Sequence, residues 1–264
     1  MATLPNPLPT LAADPSGRSL GLGLPLGRLI DETDEGPWHE PLLWHAEYAA
    51  ASGAWSALGT RAARTGLLPV LIEVGGSQGG PEEWELMPGE MSYPGDHDPE
   101  EVLAEFWEEY AGDEDGSWPG LAEAPSALPA DPDRRAVETA DALLDEGSWF
   151  KEPRLALVPA RRSADIPAAI GWTGPLNHEN DVARLCAVLR SWEDRFGIRV
   201  IALGFDRLVV SVAAPPATQE AAEAVAAEHY AFCPDTIDQG HHQTLREYAE
   251  HAVLGQRTWS FWWD

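Results

Sequence analysis

Lysine is nearly missing from this chain: Lys151 stands alone in 264 residues, against sixteen arginines. Positive charge is scarce altogether, with 17 Lys and Arg side chains facing 44 Asp and Glu, a formal net charge of −27. That balance argues against a nucleic-acid binder, because a polyanion is held by a basic patch that releases its counterions. Cysteine is also rare. Two cysteines do not make a disulfide scaffold, and the expectation is a reduced, cytoplasmic protein. No run approaches the roughly 18–20 apolar residues that span a bilayer. Met1 to Thr10 has neither a basic segment nor an unbroken apolar one, so no signal peptide is expected.

What is present suits a folded chain. Hydrophobic residues make up 44% and tryptophan occurs twelve times, enough to fill a core that buries about three quarters of the unfolded surface at this size. The charge is unevenly spread. Residues 1–152 hold 30 acidic and 7 basic side chains, a net of −23, and residues 153–264 hold 14 and 10, a net of −4. A Pro- and Asp-rich stretch near 112–133 reads as an exposed linker. These features divide the chain into an acidic region, 1–150, and a more balanced region, 151–264.

The first region predicts mixed α/β elements. Residues 1–30 read as loop and extended segments. His45 to Leu58 has a helical stripe of Trp44, Tyr48, Trp55 and Leu58, and Leu67 to Val74 reads as a buried strand. Pro99 to Tyr110 has an Asp98 cap, proline at the first helical position and acids in the first turn. Arg134 to Asp145 predicts another helix. The second region reads as strands at Arg154–Pro159 and Ala168–Trp172, then a helix over Asn177–Phe196 stopped by Gly197. A hairpin of Arg199–Leu203 and Leu208–Ala213 is apolar on both faces and is expected to be central. Helices follow from Thr218 to Phe232 and from Gln243 to Leu254. A last strand, Arg257 to Asp264, puts Trp259, Phe261 and Trp263 on one face and Trp262 on the other. The fold class is α+β: a mostly antiparallel sheet of about five strands with helices packed on it in the C-terminal half.

Five features bear on chemistry. Gly21, Gly23 and Gly27 approach a dinucleotide fingerprint, but the spacing is wrong and no strand precedes them. Gly75 to Gly80 follows a strand, and such a turn can cradle an anion. No Lys or Arg follows it and Glu82, Glu83 and Glu85 do, so a plain loop is the stronger reading. His229 and Cys233 share one face of a helix, with Asp235, His241 and His242 nearby in sequence, a pattern that suits a metal or a nucleophile–base pair. His229 also continues the stripe of Ala222, Val225 and Ala226, which points to the core instead. Glu193 and Arg195 end the Asn177–Phe196 helix as candidate ligand-binding groups or an acid–base pair, in competition with a dipole-capping role for Arg190 and Arg195. Trp262 is a candidate interface anchor.

The strings Arg190-Ser191-Trp192-Glu193-Asp194-Arg195-Phe196-Gly197, Pro215-Pro216, Ala227-Glu228-His229-Tyr230-Ala231-Phe232-Cys233-Pro234-Asp235 and Phe261-Trp262-Trp263-Asp264 resemble the bacterial family called domain of unknown function 4253, frequent in actinomycetes. Leu24-Pro25-Leu26-Gly27-Arg28, Pro41-Leu42-Leu43-Trp44 and Thr65-Gly66-Leu67-Leu68-Pro69-Val70-Leu71 resemble its longer members. The resemblance implies an intracellular bacterial protein and carries no activity, catalytic residue or cofactor. No catalytic motif stands in its required context. The expected function is therefore an acidic interaction module, of inhibitor or immunity type, steering a basic protein partner. The alternative is a small-molecule-binding protein or enzyme with a site around Glu193, Arg195, His229, Cys233 and Asp235. No metal or cofactor is expected.

Overall fold

The computed structural model describes residues 5–112, 116–242 and 244–264. Strands β1 (Gly27–Ile30), β2 (Glu32–Thr33), β3 (Gly36–Pro37), β4 (Leu43–Ala46), β5 (Leu67–Glu73), β6 (Pro153–Pro159), β7 (Arg199–Leu203), β8 (Arg207–Ser211) and β9 (Thr258–Trp262) form two sheets. β2 and β3 make a small ribbon, and the other seven form one sheet in the order β1-β4-β6-β5-β7-β8-β9. Every neighbouring pair in it is antiparallel except β5 and β7, which run parallel from Leu71 opposite Ala202. The sheet has seven strands rather than about five, because β1, β4 and β5 of the acidic region join it. β6 lies between β4 and β5, so the 150/151 boundary passes through one hydrogen-bonded sheet.

Helices α1 (Pro9–Ala13), α2 (Ala54–Ala63), α3 (Pro99–Tyr110), α4 (Pro132–Leu144), α5 (Ile166–Ile170), α6 (Val182–Phe196), α7 (Gln219–Phe232), α8 (Asp235–Asp238) and α9 (Leu245–Tyr248) supply the rest, with a π-turn at Ala249–Val253. One apolar cluster joins Val70, Val158, Val200 and Val210 of the sheet to Phe106, Leu189, Trp192 and Phe232 of α3, α6 and α7. A second joins Leu71, Leu157, Ile201 and Val209 to Trp55 and Leu58 of α2 and Ala136 and Ala140 of α4. Successive strand residues point to opposite faces, so both faces of the central strands are covered. The hairpin β7–β8 is central, as its two apolar faces require.

Helix ends follow local chemistry. Asp98 accepts from the N–H groups of Glu100 and Glu101 to start α3, and Thr218 accepts from Ala221 N–H to start α7. Asp181 caps Ala183 N–H, so α6 begins at Val182, later than Asn177. Three expectations change. The spacing over His45–Leu58 is not one helix: β4 ends at Ala46 and α2 starts at Ala54. Ala168–Trp172 is not a strand, because Pro167 opens the short helix α5 and Gly171 closes it. Gly171 sits at φ +67, where a Cβ would come within 2.2 Å of Pro88 N, so the chain has no room for a side chain there. Residues 1–30, expected as loop and extended segments, include the strand β1 and, against expectation, the short helix α1. Gln243, where the last long helix was expected to begin, and Met1–Leu4 lie outside the described residues. The described part of that segment holds α9 and the π-turn.

Of the stretch near 112–133, Asp113–Asp115 lie outside the described residues. Beyond them Gly116 accepts from Trp107 Nε1, and Ala122 is held by α6 and α7. No helix among the described residues is long and apolar enough to cross a membrane.

Candidate functional site

Where β5 and β7 begin, they have not yet paired. Pro69 offers no N–H, and hydrogen bonding between the two strands starts only at Leu71 and Ala202. Val200 N–H instead donates to Ser163 Oγ at 2.6 Å. The gap is a cleft of about 330 Å³ between α2, α4 and the turn that follows β6. Trp55, Leu68, Pro69 and Val137 line it with apolar surface, and Arg161, Arg162 and Arg199 line it with positive charge. Glu193 stands between two of them. It accepts from Arg162 Nε at 3.4 Å, Arg199 Nη1 at 3.4 Å and Ala164 N–H at 3.2 Å. Arg162 also reaches Asp194 at 2.6 Å, and Arg199 reaches Asp133 at 2.9 Å. The Asp133 side chain is 82% exposed, so a ligand anion can take its place on Arg199 without stranding a buried carboxylate. Guanidinium forks beside an apolar wall suit a carboxylate or phosphate carried on a hydrophobic body.

Arg195 lies two residues from Glu193 on α6 but on a different face. Its Nη1 and Nη2 donate to Glu228 Oε1 and Oε2 of α7 at 2.7 and 2.5 Å. Glu228 is fully buried and also accepts from Trp192 Nε1 and Ala122 N–H, each at 2.7 Å. Arg195 Nη1 donates in addition to Ala122 O. The group is a closed, hydrogen-bonded ion pair inside the fold, without an opening for a ligand.

His229 is buried among aromatic rings, with centroids of Trp259, Phe261 and Trp192 at 4.5, 4.9 and 5.0 Å. Its Nδ1 meets Tyr248 Oη at 3.0 Å. Burial, with Arg195 adding to it, lowers its pKa to about 3, so the ring is neutral at ordinary pH. Cys233 is buried too, with Sγ 3.0 Å from Trp262 O and 3.1 Å from Thr236 Oγ1. Burial pushes its thiol up to about 12, and burial raises Cys186 as well. Neither thiol is expected to react with a disulfide reagent at pH 8 in the folded protein, and both are expected to react after denaturation. One equivalent of reactive thiol in the native state would contradict the packing around Cys233.

The remaining two residues close the sheet edge. Asp235 accepts from Asp264 N–H at 3.0 Å, and Trp262 Nε1 donates to Asp206 at 2.9 Å. Thr236 of α8 accepts from Trp262 N–H, which covers part of an edge strand that would otherwise be open for pairing. Cys233, Asp235 and Trp262 are thus brought together, Arg195 and His229 line the core, and Glu193 alone of the six reaches the cleft. Among the described residues, no group of three or more His, Cys, Asp or Glu side chains is placed to hold a metal ion. Arg161, Arg162 and Arg199 were not legible as a site. The sequence sign was the Arg161-Arg162 doublet after a strand, and its partner Arg199 is 37 positions further on.

Comparison with known families agrees with the C-terminal motifs. Residues 154–264 match the model of a domain of unknown function, DUF4253. This region resembles DUF4253. The match takes in all three cleft arginines, Glu193, and the Arg195–Glu228 pair. Trp55, Leu68, Pro69 and Val137 lie outside it, so the cleft is closed by residues that precede the DUF4253 region. No curated protein and no solved structure matches the chain.

Proposed function

We propose that this chain is a cytoplasmic small-molecule-binding protein whose ligand is an organic anion held in the arginine cleft. The observation that supports it most is charge placement. In a chain with a net charge of −27, three arginines meet at one cleft of about 330 Å³, close to the lower end of ligand-site volumes. The reading is of binding, since Arg162 and Arg199 of the cleft meet Glu193 and Asp133 as hydrogen-bond acceptors. A thermal-shift screen of small carboxylates and phosphate esters tests it. A true ligand at 100 times its Kd is expected to stabilise the chain by about 2.7 kcal/mol. Arg199→Met should remove that shift. The reading fails if no anion stabilises the wild type more than it stabilises Arg199→Met.

A second reading, an acidic module for a basic protein partner of inhibitor or immunity type, is favoured by α3. Glu101, Glu105, Glu108 and Glu109 are exposed on it, and only Glu105 has a cationic partner among the described residues, Arg184. Charge reversal at Glu101, Glu108 and Glu109 is then expected to abolish a partner captured at low salt and released at moderate salt. A capture that survives the reversal sinks this version. Nucleic acid is left out of both readings, since its phosphates would face the same negative field.

A further inference from the structure

At the opposite end of β5 and β7 lies a second pocket, of about 220 Å³, that owes nothing to the arginine cleft. It is walled by the glycine loop after β5, by Trp149 and Lys151 ahead of β6, and by the β7–β8 turn. Glu82, Glu83 and Glu85 follow this loop in sequence; Glu82 pairs with Arg28, and Glu83 lies against Gly79. No cation follows the loop. The fold supplies two from elsewhere. Lys151 is the chain's single lysine, is exposed, and has no ion-pair partner among the described residues. Arg207 lies across the pocket with its guanidinium carbon 5.5 Å from the centre of the Trp149 ring.

The pocket is built to hold these groups in place. Lys151 N–H donates to Glu73 Oε1 at 2.9 Å, and Gly75 N–H donates to Lys151 O. A Cβ at Gly75 would come within 2.9 Å of Lys151 Cβ, so only glycine lets the loop lie this close to the lysine. Gly76, Ser77 and Gln78 are exposed residues, and their N–H groups have no partner among the described residues. The two carboxylates of the pocket are already engaged. Glu73 accepts from Lys151 N–H, and Asp206 accepts from Trp262 Nε1 while lying 3.7 Å from Arg207 Nε. Trp149 is 46% exposed, with the Arg207 guanidinium over its ring.

The geometry points to a binding site for a small phosphate ester. The phosphoryl group is met by Lys151, Arg207 and the free loop N–H groups, and its organic part lies against Trp149. A point charge, a planar fork and successive backbone donors are the elements that recognise phosphoryl oxygens. The volume falls below the roughly 300 Å³ at which drug-sized sites begin, which favours a small ester over a dinucleotide. Asp206 competes for Arg207, so binding is moderate and sensitive to salt.

The test is an NMR titration of the full chain with inorganic phosphate and pyrophosphate, with sodium chloride balancing ionic strength. Saturable shifts are expected at the amides of Gly76, Ser77 and Gln78 and at the indole N–H of Trp149. Lys151→Met and Arg207→Met should each weaken the apparent affinity by about tenfold or more. Lys151→Arg should retain the shifts at these loop amides. Shifts that do not saturate, or that persist undiminished in Lys151→Met, overturn the assignment. Because Lys151 is exposed and unpaired, its replacement leaves the fold intact, and a matching Tm confirms that the loss is of binding.

Discussion

Glu228→Ala is expected to cost about 3–5 kcal/mol of folding stability, on the order of 10 °C in Tm. The carboxylate it removes is fully buried and accepts four hydrogen bonds, from Arg195 twice, from Trp192 Nε1 and from Ala122 N–H. Without it the Arg195 guanidinium stays desolvated and uncompensated, which is the large penalty. The favourable energy of the intact pair is much smaller, since each ion lost its hydration on burial. A double-mutant cycle separates the two. Glu228→Met with Arg195→Met should be more stable than Glu228→Met alone, because no charge is stranded. It should not regain wild-type stability, because Trp192 Nε1 and Ala122 N–H still lack their acceptor. Urea denaturation of the four proteins measures this. A loss below about 1 kcal/mol for the single variant would mean that water reaches Arg195.

Acid is expected to unfold the protein from the histidine side. His229 has an ordinary pKa of 6.5 when unfolded and about 3 in the fold, lowered first by burial and then by Arg195. Below pH 6.5 the unfolded chain therefore binds a proton that the folded chain refuses. The stability tied to the neutral ring is fully present above pH 6.5 and is lost as pH falls toward 3, a change on the order of 5 kcal/mol for this one group. His178, packed at a tilt against Phe106 and Tyr110 with centroids at 4.6 and 4.8 Å, acts in the same direction. Burial lowers it to about 4. His45, buried on β4, is also lowered by burial. His229→Phe keeps an aromatic ring in the cluster and removes the titration, at the cost of the bond to Tyr248. Its Tm should fall less steeply than the wild type's between pH 6.5 and 4. Parallel curves would show that His229 takes up its proton without unfolding.

What could be read in advance was what neighbouring residues decide among themselves. Asp98-Pro99 followed by two glutamates starts α3 in any context, and Thr218 does the same for α7, because a cap and its N–H partners lie within one turn. The alternation of Trp259, Phe261 and Trp263 defines a strand face without reference to its partner. Periodicity failed where segments were short. Five apolar residues at Ile166–Ile170 are too few to separate a helix from a strand, and the spacing over Trp44–Leu58 matched a helix across a turn that breaks it.

The sites needed distance to close. Arg195 meets Glu228 across 33 positions and Ala122 across 73. Lys151 and Arg207 reach a glycine loop lying some 75 and 130 positions before them, and the cleft walls come from both sides of residue 150. Charge had suggested two separate regions, because solvated side chains carry the charge. The apolar faces, which decide what packs together, run without a break from β1 to β9. Composition and local pattern thus determined an acidic α+β protein, most of its longer helices and its central hairpin. Only the tertiary structure decided which polar residues were locked inside and which cations faced open space. That choice depends on which strands pair across long intervening chain, and no local preference encodes it.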